Sequence, residues 1–110
     1  MAGNSALRRT RSGALLVALG GEVDVEMDGD LVAIVEAVTR AQPADVVVDL
    51  AQVTFLGSWG LGFLVRLKLA VRAGRTLTVV GVPDRIRRVI TVVGLESLLS
   101  EHDSGPPSPD

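Results

Sequence analysis

Short apolar runs alternate along this chain with stretches whose apolar residues recur at helical spacing. Residues 14–19 are continuously apolar and are followed by two glycines, which predicts a buried strand that ends at Gly20. Apolar residues at positions 31, 34, 35 and 38 share one helix face, so a helix is predicted there that stops before Pro43. The β-branched run at 46–48 shows no alternation, which is typical of a central strand covered on both faces.

The second half of the chain continues this alternation. Residues 60–73 are predicted to form a helix that Gly74 ends, and residues 76–80 are predicted to form another β-branched strand. The segment Val82-Pro83-Asp84 is predicted to open a third helix, which Gly94 closes. Strands and helices in this order predict an α/β fold whose later strands are parallel and joined by right-handed crossovers.

The length of 110 residues suits one domain without internal repeats. We expect residues 1–13 to be a flexible segment or a short first strand, residues 14–100 to be the domain, and the polar residues 101–110 to be a disordered tail. The pair Arg8–Arg9 precedes an apolar run, as in some secretion signals, but that run is short and acids follow it. We therefore expect a cytoplasmic protein without a membrane partner, since no run approaches the about 20 apolar residues of a membrane span.

Composition removes most catalytic chemistry from consideration. The chain has no cysteine, which excludes disulfides, thiol nucleophiles and cysteine-ligated metals. Its one histidine, His102, lies in the polar tail, and no serine has a candidate base. We therefore expect a protein that is not an enzyme and that holds neither a cofactor nor a metal. The net charge of -2 gives no argument for nucleic acid as a partner.

Charged residues are nonetheless unevenly distributed. Acids occupy every second position from Glu22 to Asp30, but the series lacks the glycine and glutamate positions of a calcium loop, so a solvated loop is favoured. Lys68, Arg72 and Arg75 fall at i, i+4 and i+7, which places them on one face of the second predicted helix. Without interleaved aromatic residues this face favours solvent or an acidic protein partner over nucleic acid.

The segment GSWGLG, residues 57–62, lies where a predicted strand gives way to a helix. It matches neither GxGxxG nor a loop ending in GK[ST], which disfavours nucleotide binding. Ser58 is either the N-cap of the helix or an exposed regulatory hydroxyl whose phosphate the helix start would hold. Trp59, the only tryptophan, is either a core anchor or an exposed contact for a partner.

Three segments, in this order, resemble the STAS domain of bacterial anti-sigma factor antagonists. They are GEVD at residues 21–24, VVVDLAQVTFLGSWGLGFL at 46–64 and LTVVGVPDRIRRVITVVGLESLL at 77–99. The resemblance implies a single mixed sheet with helices packed against it, and a function by binding rather than by catalysis. Such proteins sequester an anti-sigma factor, commonly a serine kinase, and so free a sigma factor for transcription.

The resemblance also implies a phosphorylation site. In the family the serine after a conserved aspartate is phosphorylated by the anti-sigma kinase, which ends binding, and that serine matches Ser58. This chain has Gly57 in place of the aspartate and Trp59 in place of Ser or Thr. Two outcomes therefore stay open: Ser58 is phosphorylated, or the switch is lost and binding is constitutive. The candidate partner-binding residues are Gly57, Ser58, Trp59, Gly60, Leu61, Lys68 and Arg72.

Two alternatives stand beside an anti-sigma factor antagonist. The same resemblance fits a STAS subunit of a lipid-transport or stressosome-type complex, and α/β folds in general bind ligands such as nucleotides at strand ends. We expect a monomer, because each strand has a covering helix pattern. A dimer through the second helix is the alternative, since a helix that is apolar over most of its circumference usually has a second covered face.

Overall fold

The computed structural model describes residues 2–42, 45–71 and 75–99. Within these residues the chain forms four strands and three α-helices, with a single 3-10 turn before the first α-helix and another after the last. The alternation of strand and helix after the first strand confirms the predicted α/β class. In chain order the elements are β1 (Asn4–Arg9), β2 (Leu15–Val23), α1 (Asp28–Ala41), β3 (Asp45–Leu56), α2 (Ser58–Ala70), β4 (Thr76–Val80) and α3 (Asp84–Val92).

The strands form one mixed sheet in the order β1-β2-β3-β4. β1 runs antiparallel to β2, whereas β2, β3 and β4 are parallel to one another. The segment with the paired arginines is β1 itself, and it joins β2 through a short turn in which Gly13 has a φ of +88°. The mixed sheet, the parallel later strands and the central place of β3 agree with the predictions.

One face of the sheet carries the hydrophobic core. Val17, Val48 and Val79 lie opposite one another on three adjacent strands and are fully buried. The buried residues of all three helices belong to the same cluster. Val47 points to the other face and is only half-buried. The prediction that the run at 46–48 is covered on both faces is therefore wrong, because the helices pack against one face.

The strand β2 does not end at its two glycines as the pattern predicts, but continues to Val23. The N-terminal segment passes alongside it here, with a bridge between Ala2 and Glu22. A Cβ on Gly21 would stand 2.5 Å from the Ala2 carbonyl oxygen, and Gly21 has a φ of +69°. The glycine therefore admits a neighbouring segment of backbone rather than ending the strand.

The helix α2 differs from its predicted span at both ends. It begins at Ser58, two residues early, and ends at Ala70, where Val71 becomes extended and packs against the core. Arg75 lies beyond the helix, so Lys68 and Arg75 do not share a helix face as predicted. Four predicted features lie outside the described residues: Pro43, Arg72, Gly74 and the tail at 101–110.

The helices α1 and α3 match their predictions more closely. α1 ends at Ala41 and carries two acids in its first turn. α3 begins after Pro83, and Gly94, with a φ of +81°, follows its last turn. None of the described helices is both long and apolar enough to cross a membrane.

Candidate functional site

The candidate site lies where β3 gives way to α2. Because β2 and β3 are parallel, their carboxyl ends lie side by side, with Val23 opposite Leu56. The backbone N–H of Gly57 donates to the Val23 carbonyl oxygen at 3.0 Å and ties the two strand ends together. The acidic loop that follows β2 therefore meets the start of α2.

Gly57 is buried against the carboxylate of Asp24. A Cβ at position 57 would stand 2.5 Å from Asp24 Oδ1, which is closer than real Cβ atoms approach. The side chain of Asp24 thus fills the space that an aspartate at position 57 would need. A carboxylate therefore stands beside the helix start although position 57 is glycine, and it is that of Asp24.

Asp24, and not Ser58, accepts a hydrogen bond from the backbone at the start of α2. The backbone N–H of Trp59, which has no partner within the helix, donates to Asp24 Oδ1 at 3.4 Å. Gly57 is the N-cap, with an extended backbone, and Ser58 is the first helical residue. The interpretation of Ser58 as the N-cap is therefore wrong, because the helix already includes it. Its side chain is exposed.

Trp59 lies on the surface, with 47% of its area exposed. Its indole Nε1 donates to Asp28 Oδ1 at 2.8 Å, which joins the start of α2 to the start of α1. The interpretation of Trp59 as a core anchor is therefore wrong. Asp24 and Asp28 could not be assigned to this site from the sequence, because their contacts with Trp59 join residues 35 and 31 positions apart and leave no local spacing to detect.

These two carboxylates change what the start of α2 can hold. A helix N-terminus generally attracts anions. Here Asp24 already accepts the Trp59 N–H, and Asp28 is hydrogen-bonded to the neighbouring indole. Negative charge therefore already stands at this helix start, and a phosphate on Ser58 would add to it. That the helix start would hold a phosphate on Ser58 stays a prediction, and these carboxylates weigh against it.

The helix α2 presents an apolar side to solvent. Its buried residues, among them Phe63, Leu64 and Leu67, lie on the core side. Val65 is 40% exposed and Leu69 is 81% exposed on the opposite side. The second apolar side predicted for this helix is thus present, and no described residue covers it. We use the term α2 face for Trp59 together with the exposed residues at i, i+4, i+7 and i+11, which are Ser58, Gly62, Val65 and Leu69.

Gly62 lies within the α2 face and is not required by the packing around it. A Cβ at this position would have no atom within 4 Å, and its φ is not positive. Glycine in a helix interior is less favourable than alanine by about 1 kcal/mol. The described structure therefore gives no internal reason for this glycine. It leaves a notch in the apolar surface that the backbone of another molecule can approach closely.

The remaining predicted site residues divide by exposure. Gly57 and Gly60 are buried, and a Cβ on Gly60 would collide with the Leu56 side chain, so neither is accessible to a partner. Leu61 is half-buried and Lys68 is exposed. Arg72 lies outside the described residues.

Known proteins similar to this chain are described in two ways, as STAS domains and as anti-sigma factor antagonists. A family model described as "Mlab, STAS domain" matches residues 6–100. An anti-sigma-B factor antagonist of Staphylococcus epidermidis is 34% identical over 84 residues, which are 76% of this chain and 78% of that protein. The crystal structure of an anti-sigma factor antagonist from Mycobacterium paratuberculosis has a TM-score of 0.82 and 27% identity, over 91% of this chain and 86% of that one. The anti-sigma factor antagonist SpoIIAA in its unphosphorylated form has a TM-score of 0.67 over 92% of each chain at 20% identity, a likeness of fold alone.

Proposed function

Because this chain belongs to the STAS family of anti-sigma factor antagonists, we propose that it binds an anti-sigma factor and so releases a sigma factor for transcription. The α2 face makes the contact. One observation carries this assignment: Leu69 is 81% exposed on a helix whose outer side is apolar, and the exposed Trp59 lies at the start of the same helix. Water contact with this surface is unfavourable until a partner covers it.

The α2 face has the composition of an interface centre with a charged rim. Tryptophan is enriched among the residues that dominate binding energy, and well-packed apolar neighbours keep water away from such residues. Arg66 and Lys68 are exposed on the same helix. This rim fits a partner that is acidic where it meets Arg66 and Lys68, whereas Asp24 and Asp28 make the rim negative at the start of the helix.

Gly62 sets how closely the partner can approach. An alanine in its place would fit the described structure and would favour the helix, since its Cβ would contact nothing. The notch that the glycine leaves lets a partner's helix or strand lie against the α2 backbone. The proposal therefore places the crossing point of the partner at Gly62, between Trp59 and Val65.

The chain acts in this proposal by binding rather than by catalysis, and without a cofactor. The α2 face consists of a hydroxyl, an indole and aliphatic side chains. Among the described residues, Ser58 has no hydrogen-bonded base, and the one histidine, His102, lies outside them. A surface of this chemistry supports contact with a protein.

Ser58 is the proposed switch of this contact. Its exposed side chain stands at the amino end of the α2 face. Phosphorylation would add about -1.5 to -2 charges to a surface that must lose its water on binding. The same charge would repel Asp24 and loosen its bond to the Trp59 N–H. Both effects lower the affinity for the anti-sigma factor, so a phosphorylated chain would release it.

The chain alone is proposed to be a monomer with an uncovered α2 face. Light scattering at micromolar concentration tests this point. A stable dimer that Leu69→Glu dissociates would instead make the α2 face a surface between two copies.

A pull-down from the native cell tests the proposed function. We expect the tagged wild type to recover an anti-sigma factor, and a tagged Leu69→Glu variant to recover much less of it. Recovery of a lipid-transport or stressosome-type assembly in its place would contradict the proposal and support the alternative STAS role.

Mass spectrometry tests the switch separately. Wild type and Ser58→Ala are incubated with the recovered anti-sigma factor and ATP. We expect one phosphate on the wild type and none on the variant, whose stability should be nearly unchanged because Ser58 is not the N-cap. A wild type that binds the anti-sigma factor but gains no phosphate would mean that binding is constitutive.

A further inference from the structure

Within the residues that the structure describes, no strand pairs with the end of β3 on the β4 side. β3 extends to Leu56, but its pairing with β4 stops at Asp49. The helix α3 stands next to the unpaired stretch, where Arg85 Nη2 donates to the Thr54 carbonyl oxygen at 2.9 Å. A groove therefore lies between the end of β3 and α3, and no residue of the α2 face lines it.

This groove, which we term the α3 groove, is open and mainly apolar. Leu56 and Ile86 are buried in its wall, and Phe55 is 49% exposed at its edge. An apolar cavity of about 150 Å³ accommodates a benzene ring. At about 210 Å³ the α3 groove has room for one large apolar side chain. Its lining residues are Thr54, Phe55, Leu56, Arg85, Ile86 and Val89.

Arg85 gives the α3 groove a positive charge. A guanidinium carries five N–H donors, and the hydrogen bond that Arg85 makes within the described residues goes to the Thr54 carbonyl. Arg85 therefore keeps donors for an incoming carboxylate, which it can bind through two parallel hydrogen bonds.

The α3 groove is continuous in sequence with the α2 face. Leu56 lines the groove, and Ser58, two residues later, belongs to the α2 face. Two residues span at most about 7 Å. A partner that covers the start of α2 therefore has the groove within reach.

We propose that the α3 groove takes an apolar side chain of the anti-sigma factor, from a segment that places a carboxylate beside it for Arg85. This inference rests on the proposed function, because it names a second contact of the same partner. The chemistry of the occupant follows from the groove. Its aliphatic and aromatic walls select an apolar side chain, and the guanidinium selects a carboxylate over an amine.

Titration calorimetry with the anti-sigma factor from the native cell tests the inference. Arg85→Glu reverses the charge, and Phe55→Ala removes a wall of the groove. Each is expected to raise Kd at least about tenfold, the loss of one good contact. Arg85→Lys keeps the charge but loses the planar fork, so we expect an intermediate Kd. Arg11→Glu, a charge reversal at an exposed site in the β1–β2 turn, is the matched control and should bind like the wild type.

Leu69→Glu separates the inference from the proposed function. If it abolishes binding while Arg85→Glu and Phe55→Ala bind like the wild type, the groove inference is wrong and the proposed function stands. A wild type that binds no anti-sigma factor would overturn both.

Methyl NMR of the wild-type complex removes any dependence on how the variants fold. The methyl signals of Ile86 and Val89 should shift when the anti-sigma factor is added. Signals that stay in place in a saturated complex would overturn the groove inference.

Discussion

The neighbouring helices α1 and α2 have similar lengths, 14 and 13 residues, but their solvent-exposed sides differ in polarity. The exposed side of α1 is polar, with two acids in its first turn and an ion pair between Glu36 and Arg40 one turn apart. α2 has no acid in its first turn and exposes Val65 and Leu69. Both bury one side in the same core. The two helices therefore differ in the function of their exposed sides and not in how they pack against the core.

The outer side of α1 stabilises the helix in water. Acids in its first turn complement the positive end of the helix, and the i, i+4 ion pair adds a few tenths of a kcal/mol. α2 obtains its first-turn carboxylate from Asp24, which belongs to the loop after β2. Because Asp24 supplies this carboxylate, the side chains of Ser58 and Trp59 are not needed to cap the helix and are available for other contacts. We infer that α1 is adapted to solvent and that α2 is adapted to a partner.

The largest effect expected from removing a side chain is that of Trp59→Ala on binding. Removing this exposed indole should weaken binding of the anti-sigma factor by roughly 2 kcal/mol or more, which is about 30-fold in Kd. The effect on stability should be small, because the indole hydrogen bond goes to the exposed Asp28. Asp28→Asn keeps an acceptor for the indole and serves as the control. A sharp fall in melting temperature with unchanged Kd would contradict the assignment of Trp59 to the interface.

The second prediction concerns Asp24, whose carboxylate lies against Gly57 at the start of α2. Gly57→Ala should destabilise the fold by about 1–3 kcal/mol, because its Cβ would collide with the Asp24 carboxylate. In an Asp24→Gly background the same substitution should be tolerated. Urea unfolding of the two single variants and the double variant gives the coupling, which we expect to exceed about 1 kcal/mol. Additive effects would mean that Asp24 does not occupy the space beside Gly57.

The third prediction compares two open glycines, one on each helix. A Cβ would contact nothing at either Gly62 of α2 or Gly29 of α1. Gly62→Ala should stabilise the isolated chain by about 0.5–1 kcal/mol and yet weaken binding, whereas Gly29→Ala should leave binding unchanged. Thermal melts and titrations of both variants measure the two effects. If Gly62→Ala binds as tightly as the wild type, no partner backbone approaches the notch.

The smallest expected effect lies away from the starts of both helices, at the start of β3. The hydroxyl and backbone N–H of Thr76 donate to Asp45 at 2.7 and 2.9 Å, and these bonds lower the pKa of Asp45. The stabilisation is therefore fully present above the ordinary carboxyl pKa of about 3.9 and is lost as pH falls through the lowered pKa of the folded chain. Asp45→Asn should remove this acid dependence, change neutral-pH stability by at most about 1 kcal/mol and leave binding intact. An unchanged slope of unfolding free energy between about pH 4 and pH 2 would contradict this.

The core of the fold can be predicted from the sequence because buried strands and helices show local patterns of apolar residues. The β-branched run at 46–48 and the helical spacing at 31–38 predict β3 and α1 directly. β1 is harder, since it is an edge strand whose residues are mostly exposed. The two faces of β3 could not be told apart, because Val47 is as apolar as its buried neighbours.

The candidate site is less predictable because its contacts are not local. Spacing predicts that α2 has a second apolar side, but it does not indicate whether that side is buried within the chain or open. Asp24 and Asp28 reach Trp59 only because the parallel pairing of β2 and β3 brings their loops together. No periodicity in the sequence indicates that these two aspartates lie next to Trp59.

One measurement tests most directly whether the outer side of α2 is the binding surface. The anti-sigma factor is titrated with wild type, with Leu69→Glu, and with Ala33→Glu, which places the same charge at an exposed position of α1. We predict that Ala33→Glu binds like the wild type and that Leu69→Glu raises Kd at least about 30-fold, because its charge would lose its water without a partner. A Leu69→Glu variant that binds with the Kd of the wild type would contradict the account.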